Sequence, residues 1–196
     1  MVSLIHAVVL SFIVGVLAGI FLDLQLPEIF LDVTLMVMLF FIGYDLAVSI
    51  NYKRLKKLIL VSTKLVVATV AGSAFAGLLI ALIFQRGMLT FLAASLGMGW
   101  YSLTGPLLLK FQGSNPGLLG FLANVLREIF TFIFYPLFYR HVEIAAVSMA
   151  GATSMDTTLP LIRKTSGSEV ALVAIVHGWI ISTLVPIILM YLLSTF

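Results

Sequence analysis

The chain has 196 residues, 62% of them hydrophobic and only 10% charged, whereas soluble domains run at about 45–50% apolar and about 25% charged. With a mean hydropathy of +1.20, this composition excludes an ordinary soluble domain and points to an integral membrane protein. The absence of cysteine removes disulfides and thiolate metal sites, and the net charge of +3 comes from clustered loop lysines and arginines rather than from a nucleic-acid surface.

A membrane-crossing helix needs roughly 20 mostly apolar residues. Leu4–Leu22 is the first such stretch; with no basic leader before its long apolar run, it reads as a retained helix rather than a cleaved signal. Ile29–Ile50, Leu58–Phe84 and Leu118–Tyr139 follow, and Val170–Leu193 closes the chain. Two further stretches, Phe91–Lys110 and Val142–Lys164, are apolar but interrupted. The expected fold is an all-α integral membrane protein with five spanning helices and two interrupted, re-entrant segments, arranged as an inverted-repeat transporter. The chain reads as one transmembrane transporter domain, 1–196. Residues 1–57 hold the first two helices and a basic loop, 58–111 a helix and an interrupted segment, and 117–196 a helix, an interrupted segment and the final helix.

The interrupted segments resemble each other. Aligning Pro106 with Pro160 pairs Ser102 with Asp156, Thr104 with Thr158 and Lys110 with Lys164. Proline opens the helical hydrogen-bond ladder, and lipid cannot satisfy the freed groups, so such segments must be buried in protein or line a polar cavity. Paired interruptions are the usual pointer to a transporter binding site.

The basic loop "NYKRLKK" places Lys53, Arg54, Lys56 and Lys57 in the cytoplasm. The N-terminus is then cytoplasmic and the C-terminus extracellular, in the plasma (cytoplasmic) membrane. If both interrupted segments span, Lys110, Arg163 and Lys164 lie inside and Arg140 outside; as re-entrant hairpins, Arg140, Arg163 and Lys164 lie inside and Lys110 outside. Hairpins are preferred, because they would enter from opposite faces and meet near the midplane.

Charged groups at membrane depth need a reason. Asp45 lies close enough to the basic loop to be an interfacial acid. Arg127 and Glu128 sit mid-helix, where snorkelling cannot rescue both; Glu128 is the better functional candidate, while Arg127 can pair structurally with another helix. Asp156, among Thr153, Ser154, Thr157 and Thr158, reads either as an N-cap of the half-helix running through Leu159–Arg163 or as a ligand group. Half-helix ends near Ser102–Gly105 and Thr153–Thr158 offer N–H groups and the hydroxyls of Ser102, Thr104, Thr153 and Thr157 to a carboxylate, and nearby acids attract a cation. Asn124 joins the binding candidates. His177 and Trp100 fit packing as well as ligand or proton work. Enzyme motifs are absent, so a membrane enzyme is disfavoured.

The blocks "GMGWYSLTGPLL" (Gly97–Leu108), "ANVLREI" (Ala123–Ile129), "GATSMDTTLPLI" (Gly151–Ile162) and "AIVHGWIISTLVPI" (Ala174–Ile187) resemble signatures of the lysine exporter LysO family, and "FFIGYDLA" (Phe40–Ala47) is similar in a looser way. The resemblance implies export of L-lysine and its toxic analogues. The interrupted segments and buried acids suggest exchange, with protons as the favoured coupling ion and sodium as the alternative, and no organic cofactor or metal is expected. It also implies that acids within the membrane matter, which carries onto Glu128, Asp156 and Asp45. Full-length members carry roughly another half-length of helices at the N-terminus; this chain resembles the large C-terminal piece, which implies a small membrane partner subunit or a homo-oligomer. The alternatives are an ion-coupled carrier of another small organic solute and a non-transporting subunit of a larger complex.

Overall fold

The computed structural model describes residues 2–22, 27, 29–30, 33–34, 36–37, 40–41, 44, 48, 55–85 and 87–195. These are helical throughout apart from short turns, and no strand occurs among them. The chain forms two compact units, Met1–Asp45 and Leu46–Phe196. The first contains α1 (Val2–Leu22), an apolar helix of 21 residues. Much of the expected Ile29–Ile50 helix, including Asp45, lies outside the described residues.

The second unit contains α2 (Leu55–Phe84), α3 (Met88–Leu96), α4 (Tyr101–Gln112), α5 (Ser114–Val142), α6 (Leu159–Ser166) and α7 (Ser168–Thr195). Two 3-10 segments, Glu143–Met149 and Gly151–Met155, link α5 to α6. Among the described residues, three stretches are long and apolar enough to cross a membrane: Lys56–Phe84, Ser114–Met149 and Ser168–Thr195. Their outward faces carry apolar side chains such as Phe75, Leu82, Leu126 and Ile187, as lipid contact demands.

Both interrupted segments are re-entrant hairpins. In the first, residues 88–112, the Thr90 hydroxyl donates to Gln112 Oε1 at 2.7 Å across 22 residues of chain. A continuous helix would separate those residues by about 33 Å. The α3–α4 pair therefore returns to the face it left. In the second hairpin, residues 143–166, Ser166 meets the Tyr135 hydroxyl at 2.8 Å. Tyr135 lies two turns before the end of α5, so this hairpin also comes back to its starting face. Since α5 runs between them, the two hairpins enter from opposite faces. α2 and α7 run parallel, tied by Ser62 to the Val173 carbonyl at 3.1 Å and Thr69 to His177 at 2.9 Å.

The Tyr135 hydroxyl secures the second hairpin's base from a fully buried position. Tyr135→Phe is expected to remove about 1 kcal/mol of stability, read as a fall of roughly 2–4 °C in a detergent melt, with the hairpin otherwise in place.

Candidate functional site

The hairpin tips touch. The Ala152 N–H donates to the Met98 carbonyl at 2.8 Å. Met98 is fully buried and holds φ at 45°, a left-handed conformation that costs a side-chain-bearing residue about 1–2 kcal/mol. This turn lets the first hairpin present a carbonyl to the second.

Helix α5 supplies the side chains that make these broken segments tolerable. Asn124 Oδ1 accepts the Gly99 N–H at 2.6 Å, while Nδ2 donates to the Ala94 carbonyl at 3.0 Å and to Gly120 at 2.8 Å. Three residues on, and so on the same helical face, Arg127 donates to the Ser148 and Met149 carbonyls at 2.8 and 3.0 Å and to Ser73 Oγ at 3.1 Å. Asn124 thus serves the first hairpin and Arg127 the second. In lipid each of these backbone groups, left unpaired, would cost several kcal/mol.

Glu128 follows Arg127 and points elsewhere. Its Oε1 accepts a short hydrogen bond from the Thr157 hydroxyl. The Thr157 N–H donates to Asp156 Oδ1 at 2.6 Å. One threonine therefore joins the two carboxylates. Beside them lies a cavity of about 170 Å³ lined by Gly99, Trp100, Tyr101, Ser102, Ala152, Thr153, Met155, Asp156, Thr157 and Ser182. That is small against the roughly 300–1,000 Å³ of drug-sized sites and suits a small solute. Trp100 Nε1 donates to Ser102 Oγ at 3.1 Å on its wall.

Two prolines add acceptors. Pro106 in α4 and Pro186 in α7 have no N–H, so the carbonyls four residues earlier lose their helical donors. Those carbonyls belong to Ser102 and Ser182, and both residues line the cavity. The lining therefore includes the carboxylate residue Asp156 and two serines whose carbonyls lack their helical donors, a set that favours a cation carrying N–H donors.

Of the expected residues, Trp100, Ser102, Thr153, Asp156 and Thr157 line this cavity, and Glu128 reaches it through Thr157. Thr104 is buried behind it, its hydroxyl donating to the Trp100 carbonyl at 2.8 Å. Asn124 braces the first tip. His177 is buried between Thr69 at 2.9 Å and Ser154 at 3.1 Å, locking α2 and α7 to the second hairpin. Asp45 lies outside the described residues. The N-cap position of α6 is Thr158, with no side-chain cap; Asp156 sits before it and binds Thr157 instead. Ser182 went unnoticed in the sequence; its signal was a proline four residues downstream.

Residues 9–193 match the family described as Lysine exporter LysO. The chain belongs to the lysine exporter LysO family. It is 37% identical over 162 residues to the "Lysine exporter LysO" of Escherichia coli, a match covering 82% of this chain and 54% of that protein. It is 33% identical over 162 residues to the "Putative lysine exporter" of Haemophilus influenzae, covering 82% of each. The chain thus spans about half the length of the Escherichia coli relative. No solved structure matches it. The blocks that carry the LysO likeness also build the site: Gly97–Leu108 forms the first tip, Ala123–Ile129 the brace and Glu128, Gly151–Ile162 the second tip, and Ala174–Ile187 the wall with Ser182.

Proposed function

We propose that this chain exports L-lysine, and close cationic analogues, from the cytoplasm in exchange for protons. The observation that carries the reading is the pair of carboxylates, Glu128 and Asp156, joined by Thr157 beside a small cavity at the contact of two re-entrant hairpins. The relatives' printed names describe lysine exporters. The carboxylates and the Ser102 and Ser182 carbonyls would receive the ammonium groups; the N-terminal turns of α4 and α6, with Ser102 and Thr153, would receive the carboxylate. The helix–hairpin units 55–112 and 114–166 would be inverted repeats, an arrangement that lets one site open alternately to either face.

Protons that neutralise the acids on the outside would release the cation there. Carrying one positive charge outward against an inside-negative potential costs about 2.3 kcal/mol per 100 mV, and one proton moving inward cancels that cost. The orientation follows the basic residues. Lys56, Lys57, Arg140, Arg163 and Lys164 lie toward the face where α2 and α7 begin, and Lys110 toward the other. The first of these is assigned to the cytoplasm.

Proteoliposomes loaded with labelled lysine test the reading. An acidic outside should speed lysine efflux at least several-fold over protein-free vesicles, with organic carboxylates moving no faster than in those controls. Carboxylate efflux with lysine retained would sink it and favour a carrier of another solute.

A further inference from the structure

A second, larger cavity of about 450 Å³ shares no lining residue with the first. Its polar walls are Thr69, Ser73, Ser95, Asn124, Arg127 and Ser148, set among alanines and a glycine. Among the described residues, no aspartate or glutamate lines it. Arg127 uses three N–H groups on Ser73 Oγ and the Ser148 and Met149 carbonyls. A guanidinium has five, so one remains at each terminal nitrogen. Asn124 spends both its N–H groups and its oxygen on backbone. The two carbonyls nearest the guanidinium are already taken. What the described lining still offers is therefore a positive charge, two guanidinium N–H groups and the hydroxyls of Ser73, Ser95 and Ser148.

We propose that this cavity is an anion site, taking a small monovalent anion, a carboxylate or a halide, against Arg127 and Ser73. With no carboxylate among the described lining residues, a charge held inside the helix packing carries a penalty of several kcal/mol, and a bound anion offsets it. The neighbouring residues divide the work: Arg127 turns to the donor-rich cavity and Glu128 to the acceptor-rich one. The inference concerns binding and stands apart from which solute is exported.

The test is thermal unfolding of the purified full chain in detergent, with sodium acetate or sodium chloride replacing HEPES, a bulky sulfonate, at fixed ionic strength. The melting temperature should rise in a saturable way, by roughly 3–6 °C at ten times Kd. Acetate acting at lower concentration assigns the site to a carboxylate, such as that of an amino acid; chloride acting at lower concentration assigns it to a free halide. Ser73→Asp places a tethered carboxylate against Arg127 and should abolish the response. Gly72→Leu, introduced where a Cβ meets nothing within 4 Å, fills the cavity and should abolish it too if the aspartate variant does not fold. Equal melting temperatures for the unmodified chain in all three salts, or a full response in either folded variant, overturns the proposal.

Discussion

Gly151→Ala is expected to lower the melting temperature by about 10 °C and reduce lysine efflux to the background of empty vesicles. Gly151 has φ at 61°, which costs an alanine about 1–2 kcal/mol. Its Cβ would also fall on the Met98 carbonyl oxygen. That oxygen belongs to buried backbone and accepts the Ala152 N–H at 2.8 Å, so no flexible side chain can move aside. The tips must part, and the hydrogen bond between them is lost. An orphaned buried donor or acceptor costs about 1–3 kcal/mol, which brings the sum to roughly 2–5 kcal/mol and, at about 2–4 °C per kcal/mol, to a shift centred near the stated one.

Gly87 separates the two contributions. Its φ is 65°, close to that of Gly151, but a Cβ there would first meet the Phe91 ring at 3.5 Å, an ordinary contact. Gly87→Ala should therefore show only the conformational penalty, a fall of roughly 2–8 °C, with transport retained. Equal melting and equal efflux for the two variants would mean that the tip contact holds nothing together.

The sequence made the hairpins legible because their interruptions are local. Glycines and prolines inside apolar stretches, flanked by hydroxyls, can be read without knowing any partner. The internal alignment of Pro106 with Pro160 was only partly informative. Pro106 lies well inside α4 and frees the Ser102 carbonyl, whereas Pro160 sits in the first turn of α6, where a missing N–H changes nothing. The chain at Gly151–Met155 runs as a 3-10 segment before α6 starts, so equivalent sequence positions have different local structures.

Partners across the chain were harder to read. Asn124, Thr104 and His177 are polar residues in apolar segments, which makes each a candidate ligand by type. Their roles depend on groups 30, 4 and 23 residues away: the Ala94 and Trp100 carbonyls and the Ser154 hydroxyl. No periodicity reveals that a broken tip will need an amide to take its N–H. Ser182 shows the converse: it looks like an ordinary helical serine until the fold brings it beside Asp156.

Glu128→Gln and Asp156→Asn are each expected to reduce lysine efflux by about 10- to 100-fold, with melting temperatures close to that of the unmodified chain. Both substitutions keep an oxygen able to accept from Thr157, so the local bonds survive. What they remove is the negative charge. A hydrogen bond to a charged group contributes about 1.5–3 kcal/mol, which matches the stated range at 1.4 kcal/mol per decade. Because Thr157 joins the two acids, their effects should not add; the double variant should fall well short of the product of the single losses. Thr157→Val keeps both charges and removes the hydroxyl between them, so it should cost less than either amide. The remaining efflux through Glu128→Gln should also respond less to an imposed proton gradient, since one exchangeable carboxylate is gone. Unreduced efflux with the full gradient response in both single variants would remove the carboxylate pair from the mechanism and leave it a structural clasp between α5 and the second hairpin.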